Sequence, residues 1–223
     1  MKIGIIGAGF VGRALARHAL RCEHDVMVSN SRGPQTLSST VAALHCRSGT
    51  AAEAAAFGDM VMLALPFHSI QTLPAPALRG KVVIDATNYY PTRDGVNPEL
   101  ERGETTTSQI VARHLPGAKV VKAFNAILAA DLEDHGRARN APDRRALPIA
   151  GDEVISRETV AALVDAFGFD ALDCGPLEHS WKFERARPGY CVPLGLEELR
   201  TALQATQRND FVAEYAWHRK EAS

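Results

Sequence analysis

Short apolar runs and helix-spaced apolar patterns alternate along the first half of the chain. Residues 2–6 are apolar after Lys2, rich in isoleucine and stopped by glycine, which predicts a strand buried on both faces. Phe10, Val11, Ala14, Leu15 and Ala19 then recur at helical spacing, so a helix is expected over 10–20. A second strand is expected over 25–28. A helix over 31–43 follows, opened by Gly33-Pro34, because proline fits the first helical position. A short third strand (45–47), an alanine-rich helix (51–56) and buried strands at 60–65 and 81–85 continue the alternation. Strand and helix in turn, repeated in this way, predict an α/β protein with a Rossmann-type, doubly wound, mostly parallel sheet.

The pattern breaks at 89–104, where Pro, Gly, Asn and charge predict a long loop, and loops of that length are usually functional or mobile. It resumes with a helix at 108–114 and a strand at 119–124. A polar stretch over 133–145 is expected to be a flexible loop, followed by a strand (147–150), a helix (156–167) and a strand (171–173). The last forty residues should be mainly helical, for example 196–205 and 210–217. These patterns divide the chain into a nucleotide-binding unit, 1–175, and a short helical extension, 176–223, that completes a substrate cleft.

Within this frame Gly7-Ala8-Gly9-Phe10-Val11-Gly12 is a G-x-G-x-x-G turn after a strand and before a helix. Gly7 allows the tight turn, Gly9 lets backbone approach a pyrophosphate, and Gly12 lets helix and strand pack closely. The helix N-terminus adds free N–H groups and a partial positive charge. NAD-binding units place Asp or Glu after the second strand to hold the ribose 2′-hydroxyl. Here that position reads Ser29-Asn30-Ser31-Arg32-Gly33-Pro34, without a carboxylate. Ser29, Asn30 and Ser31 can donate to a 2′-phosphate and Arg32 can pair with it, so NADP is the expected cofactor.

Five spaced segments carry a resemblance: residues 1–15, 28–34, Leu63-Ala64-Leu65-Pro66-Phe67, Val83-Ile84-Asp85-Ala86-Thr87-Asn88 and Val121-Lys122-Ala123-Phe124-Asn125. Together they resemble the coenzyme F420-dependent NADP oxidoreductase family, which includes the NADPH:F420 oxidoreductases and whose dinucleotide domain is similar to that of membrane-bound metalloreductases. The resemblance covers most of the chain to about Gly175. It implies hydride transfer between NADP(H) and a deazaflavin (F420) or flavin, and a homodimer. It also places the loop Leu65-Pro66-Phe67-His68-Ser69 along the nicotinamide side.

In that loop Pro66 fixes the turn, and His68 or Ser69 either donates a hydrogen bond to the cofactor or, for Ser69, caps the next helix. Asn88 contacts the cofactor or holds its own turn. Asn125 lines the second-substrate pocket or caps a helix over 126–132. Trp181-Lys182-Phe183-Glu184-Arg185 could cover that pocket, although a packed surface segment explains it as well. His18, His45, His114 and His179 are read as scattered surface or helix residues.

The sequence shows no catalytic Ser-His-Asp set, no Cys-His pair and no metal-ligand cluster. Direct hydride transfer needs none, because the cofactor supplies the reactive atoms and the protein supplies orientation. A small-molecule dehydrogenase or imine reductase is the alternative, but such enzymes often carry a larger helical C-terminal domain than 176–223 provides. A non-catalytic NADPH-binding redox sensor also fits a cofactor site without an acid or base.

Composition narrows the partners. With 25 basic and 26 acidic residues there is no excess positive charge to draw nucleic acid or an anionic membrane, so a small-molecule redox substrate is expected. The four cysteines are widely separated and read as reduced thiols, mostly in the core. The first apolar run is too short for a signal peptide, and no segment has bilayer-spanning length, so a cytoplasmic protein is expected.

Overall fold

The computed structural model describes residues 1–213 and 216. In chain order the first half contains β1 (Lys2–Ile6), α1 (Phe10–Arg21), β2 (Asp25–Ser29), α2 (Ser38–Leu44), β3 (Arg47–Gly49) and α3 (Ala51–Phe57). It continues with β4 (Met60–Leu63), α4 (Ala75–Leu78) and β5 (Val82–Asp85). Two short helices, α5 (Pro91–Asp94) and α6 (Pro98–Glu101), precede α7 (Thr107–His114) and β6 (Lys119–Lys122). The second half contains α8 (Ala129–Asp134), β7 (Ala146–Gly151), α9 (Val154–Ala166), β8 (Asp170–Asp173) and α10 (Leu196–Ala205).

The strands form one sheet of order β3-β2-β1-β4-β5-β6-β7-β8. Every neighbouring pair is parallel except β6 and β7, which meet through Val121↔Gly151 and Lys122↔Ala150. The order reverses between β1 and β4, which is the switch point where open α/β sheets leave a crevice beyond their carboxyl ends. Pro148 sits in β7 beyond its pairing with β6, so its missing N–H removes no hydrogen bond from that ladder.

Both faces are packed with period-two alternation. Ile3, Ile5, Met60, Met62, Ile84 and Val121 face Leu15, Val160, Leu163 and Val164 on one side. Ile6, Val61, Leu63, Val83 and Val120 face Ala54, Ala55, Leu78, Val111 and Leu115 on the other. Each fully buried aliphatic side chain contributes about 1.5–3 kcal/mol, so this double-sided core explains the continuous apolar strands. Gly4 has a specific use: a Cβ there would lie 2.1 Å from the Ala54 carbonyl oxygen, so glycine lets the small-residue helix α3 press onto β1.

Several expected elements differ in detail. The helix expected over 31–43 is a 3-10 turn, Pro34–Leu37, followed by α2. His45, expected in strand three, instead ends α2 in the left-handed region (φ 54°), which delays β3 to Arg47. The long loop expected at 89–104 contains α5 and α6, each with proline at its first turn; Gly95 closes α5, and Asn97 caps α6 by accepting from the Glu99 and Leu100 N–H groups. The polar 133–145 segment is pinned by two buried arginines. Arg144 pairs with Asp165 (2.8 Å) and Asp170 (3.1 Å), and Arg145 pairs with Asp131 (2.9 Å). His18, read as a surface or helix residue, is a buried member of α1 that stacks on Phe167 and hydrogen-bonds the Leu132 carbonyl.

Beyond Gly175 a 3-10 segment (Leu177–Phe183) and α10 flank an irregular stretch. Phe183, Tyr190, Leu199 and Leu203 pack onto Ala146, Ala150 and Leu172, so this region covers β7 and β8. Of the helix expected at 210–217, residues 210–213 are irregular, and the rest apart from Ala216 lies outside the described residues. No helix among the described residues is long and apolar enough to cross a membrane. The four cysteines are free thiols; Cys191 is buried and the other three are half-buried.

A candidate dinucleotide cleft at the switch point

The turn between β1 and α1 is built by three glycines with separate duties. Gly7 adopts φ 113°, donates its N–H to the Ser29 carbonyl (2.9 Å), and has no room for a Cβ, which would meet the Ala64 carbonyl oxygen at 2.1 Å. A Cβ on Gly12 would lie 1.8 Å from the Gly7 carbonyl oxygen, so α1 can begin this close to the strand only with glycine there. Gly9 differs: it caps α1 with extended backbone (φ −74°, ψ −166°), and a Cβ there would meet no protein atom within 4 Å. No side chain caps the helix and its first turn holds no acidic residue, so its leading N–H groups remain free for an anion.

A cleft of about 450 Å³ runs from this turn toward two loops. Its lining includes Gly7, Ala8, Gly9, Asn30, Ser31 and Arg32 at one end, and Leu65, Pro66, His68, Ser69 and Thr72 at the other. Arg32 makes no ion pair with any described residue. The Asn30 amide is used internally: its Oδ1 accepts from the Arg32 N–H (3.1 Å) and its Nδ2 donates to Thr36 Oγ1 (2.9 Å). Asn30 therefore shapes the loop that presents Ser31 and Arg32. The emptiness beside Gly9, the uncapped helix and the unpaired arginine together fit a phosphorylated dinucleotide. Residues Gly7–Gly12 could hold its pyrophosphate, and Ser31 with Arg32 its 2′-phosphate.

Several expected site residues have contacts within the protein itself. Ser29 is fully buried and its hydroxyl donates to the Ile5 carbonyl (3.2 Å), so it locks β2 to β1 instead of facing a phosphate. Phe10 opens α1 largely exposed, with the Arg13 guanidinium 5.2 Å from its ring centre, while Val11 packs toward the core. Phe67 is buried and meets Tyr89 edge-on at 5.7 Å, anchoring the loop after β4 from below. Ser69 does not cap a helix; the 3-10 segment Phe67–Thr72 begins after Pro66, and the Ser69 N–H donates to the Pro66 carbonyl.

Asn88 and Asn125 tie loops together. Asn88 Nδ2 donates to the Asn125 carbonyl (2.9 Å) and to the Tyr190 hydroxyl (3.2 Å). Asn125 Nδ2 donates to the Phe183 carbonyl (3.0 Å), and the helix after it begins only at Ala129, so Asn125 is not its cap. Trp181 and its neighbours form a packed segment: Phe183 is fully buried, and Arg187 and Arg208 lie 5.2 and 4.4 Å from the Trp181 ring centre.

Two polar clusters stand out only in three dimensions. Beneath the strand ends, Lys122 and Asp85 are fully buried and paired at 3.2 Å. Lys122 also donates to Thr107 Oγ1 (2.9 Å) and the Thr87 carbonyl, Ser108 donates to Asp85, and Glu184 accepts from the Thr107 N–H and hydroxyl (both 2.7 Å). The second cluster flanks the cleft. Asp94, whose side chain is fully covered, accepts from His68 Nδ1 (2.8 Å), the Tyr90 N–H (2.8 Å) and the Arg93 guanidinium (2.8 and 2.9 Å). Burial alone would raise the Asp94 carboxyl, but the hydrogen bonds from Arg93, Tyr90 and His68 outweigh it and hold the group at about 2. The sequence did carry a sign of this, since Pro91 and Gly95 bracket a helical turn that brings Asp94 back toward the cleft.

Fold and cleft define a Rossmann-type dinucleotide-binding protein. The model of the NADP oxidoreductase coenzyme F420-dependent family matches residues 2–89. A solved hypothetical protein from Sinorhizobium meliloti is 31% identical, with a TM-score of 0.74 over 87% of this chain and 94% of that one. A provisionally named F420-dependent NADP-reductase from Arthrobacter sp. FB24 is 26% identical, with a TM-score of 0.69 over 81% and 87%. The metalloreductase STEAP3 of Rattus norvegicus is 30% identical over 199 residues, 86% of this chain, and the chain spans 38% of that protein's length. The match over residues 2–89 and the likeness to the Arthrobacter protein make NADP-dependent oxidoreductases the class of protein that this chain resembles.

Proposed function

We propose that the protein exchanges a hydride between NADP(H) and a deazaflavin or flavin acceptor, with Gly7–Gly12, Ser31, Arg32 and the Leu65–His68 loop forming the cofactor cleft. The observation that carries this reading is the pairing, in one cleft, of a helix N-terminus left open at Gly9 with an Arg32 that has no ion-pair partner among the described residues and no carboxylate directly after β2. NADPH, when bound, supplies a hydride from its nicotinamide ring.

The protein's own contribution is binding and orientation. Backbone N–H groups of the opening turn neutralise the pyrophosphate, and Arg32 selects the 2′-phosphate. Pro66, whose φ is fixed by its ring, and the buried Phe67 beneath it hold the loop after β4 rigid along the opposite end. The region after Gly175 carries Phe183 and Tyr190 into contact with Asn125 and Asn88, and so borders the acceptor side. The carboxyl-end position of the acceptor is supported by the switch-point rule, and its deazaflavin chemistry by the likeness to the F420-dependent family and the Arthrobacter protein.

The test is a stopped assay of NADPH and NADH oxidation against coenzyme F420, FMN and FAD. Turnover with at least one acceptor, and a preference for NADPH over NADH, is expected. Stoichiometric NADPH binding without oxidation by any acceptor would refute the enzymatic reading in favour of a sensor.

A further inference from the structure

We propose that His68, oriented by Asp94, is the proton donor that completes reduction of the acceptor. This rests on the hydride-transfer reading above and adds a role for protein side chains in a reaction that otherwise needs only orientation.

The geometry begins with Asp94. Its carboxylate is surrounded by the Arg93 guanidinium and the Tyr90 and His68 N–H groups, so it stays ionised and can only accept hydrogen bonds. His68 Nδ1, 2.8 Å away, must therefore carry a proton. That fixes the ring's orientation and leaves Nε2 as the group that gains and loses a proton. His68 Nε2 hydrogen-bonds no described residue, and the half-exposed ring lines the cleft at the end opposite Arg32. With Arg32 taking the 2′-phosphate at the adenosine end, the reacting half of the dinucleotide extends toward His68. An imidazole held by a buried carboxylate, its second nitrogen open to a reaction cleft, is the arrangement used for general acid catalysis.

The chemistry balances with the partners already named. The acceptor gains a hydride from NADPH at position 5 of its central ring, a carbon in a deazaflavin and a nitrogen in a flavin, and a proton at a further ring nitrogen, while NADPH becomes NADP⁺. That proton comes from His68 Nε2–H: this bond breaks as the acceptor N–H bond forms, and the neutral imidazole takes a new proton from water. Asp94 is a positioning residue, holding the ring in one tautomer.

The test compares wild-type protein with His68→Gln, a replacement at a half-exposed position that keeps polarity and removes proton transfer. NADPH affinity is read by fluorescence titration and turnover by NADPH oxidation with FMN and with coenzyme F420. The expected result is a kcat lowered about 100-fold, within the usual range for a lost general acid, with the Kd for NADPH changed by no more than about twofold. Nitrogen-15 spectra of the NADPH-free wild type should also show neutral His68 protonated at Nδ1, and Asp94→Asn should weaken that preference. A His68→Gln kcat equal to wild type overturns the proposal alone. An NADPH Kd weakened as much as kcat falls also overturns it, making His68 a cofactor ligand. A wild type inert toward every acceptor overturns both this proposal and the reading beneath it.

Discussion

Gly9→Ala isolates the phosphate turn from the stability of the fold. A Cβ at this position meets no protein atom within 4 Å, and the backbone angles are ones any L-residue adopts. Alanine is a poorer N-cap than glycine, by up to about 1 kcal/mol, while loss of glycine's freedom in the unfolded chain returns roughly 0.4–1 kcal/mol. The two nearly cancel, so Tm should move by no more than about 2–4 °C for a chain of this size. Binding should respond differently, because the methyl group occupies the space through which a pyrophosphate reaches the N–H groups of α1. Each charge-assisted hydrogen bond lost costs roughly 1.5–3 kcal/mol, or about 10- to 100-fold in Kd. Gly12→Ala is the control: its Cβ would sit 1.8 Å from a backbone oxygen, so it should lower Tm whether or not NADPH is present. Thermal denaturation and NADPH fluorescence titration of both variants give the comparison. Gly9→Ala that binds NADPH within twofold of wild type, or melts as low as Gly12→Ala, would refute the reasoning.

Arg32→Ala should weaken NADPH binding about tenfold or more and leave NADH nearly unchanged, with the NADPH effect shrinking at high salt because Arg32 is exposed; equal losses for both nucleotides would refute its role. Lys122→Met leaves Asp85 buried without its cation and should cost about 3–5 kcal/mol, read as a lower urea midpoint; an unchanged midpoint would mean that the pair contributes little. Because folding lowers the Asp94 carboxyl to about 2, its contribution is complete above pH 4 and disappears as pH falls toward 2. Asp94→Asn should therefore be less stable than wild type at pH 6, and the gap between their urea midpoints should shrink steadily as pH falls from 4 through 2; a gap that stays constant over that range would contradict the assignment.

The sheet and its opening glycine turn were legible because they rest on local signals. Continuous apolar runs declare strands covered on both faces, and the three glycines declare a turn whose tolerances the coordinates reproduce at Gly7 and Gly12. The antiparallel entry of β7 was not legible, because reversal depends on how residues 123–145 cross the sheet end and not on the period within the strand. Side-chain roles were the least legible. Ser29, Asn88 and Asn125 are polar residues at strand ends, and the sequence cannot distinguish a group aimed at a ligand from one closing a neighbouring backbone gap. All three are engaged by the protein itself. His68 was recognised as a candidate, but its partner Asp94 lies 26 positions away in a segment read as a long functional or mobile loop, with no sign of which residue it turns toward His68. Lys122 and Asp85 appeared inside recognised motifs, yet their union depends on strand pairing that brings them side by side.

The contact between Glu184 and Thr107 bears on how such a protein can be altered. Among the ties that hold the segment after β8 to the sheet is one carboxylate, which grips the first turn of α7 at both its N–H and its hydroxyl, and that hydroxyl in turn receives Lys122. A chimera that grafts a foreign tail after β8 would leave the lysine's neighbour short of an acceptor unless the incoming segment brings an acid to the same spot. Any replacement tail has to bring that connector along with the apolar side chains that cover β7 and β8.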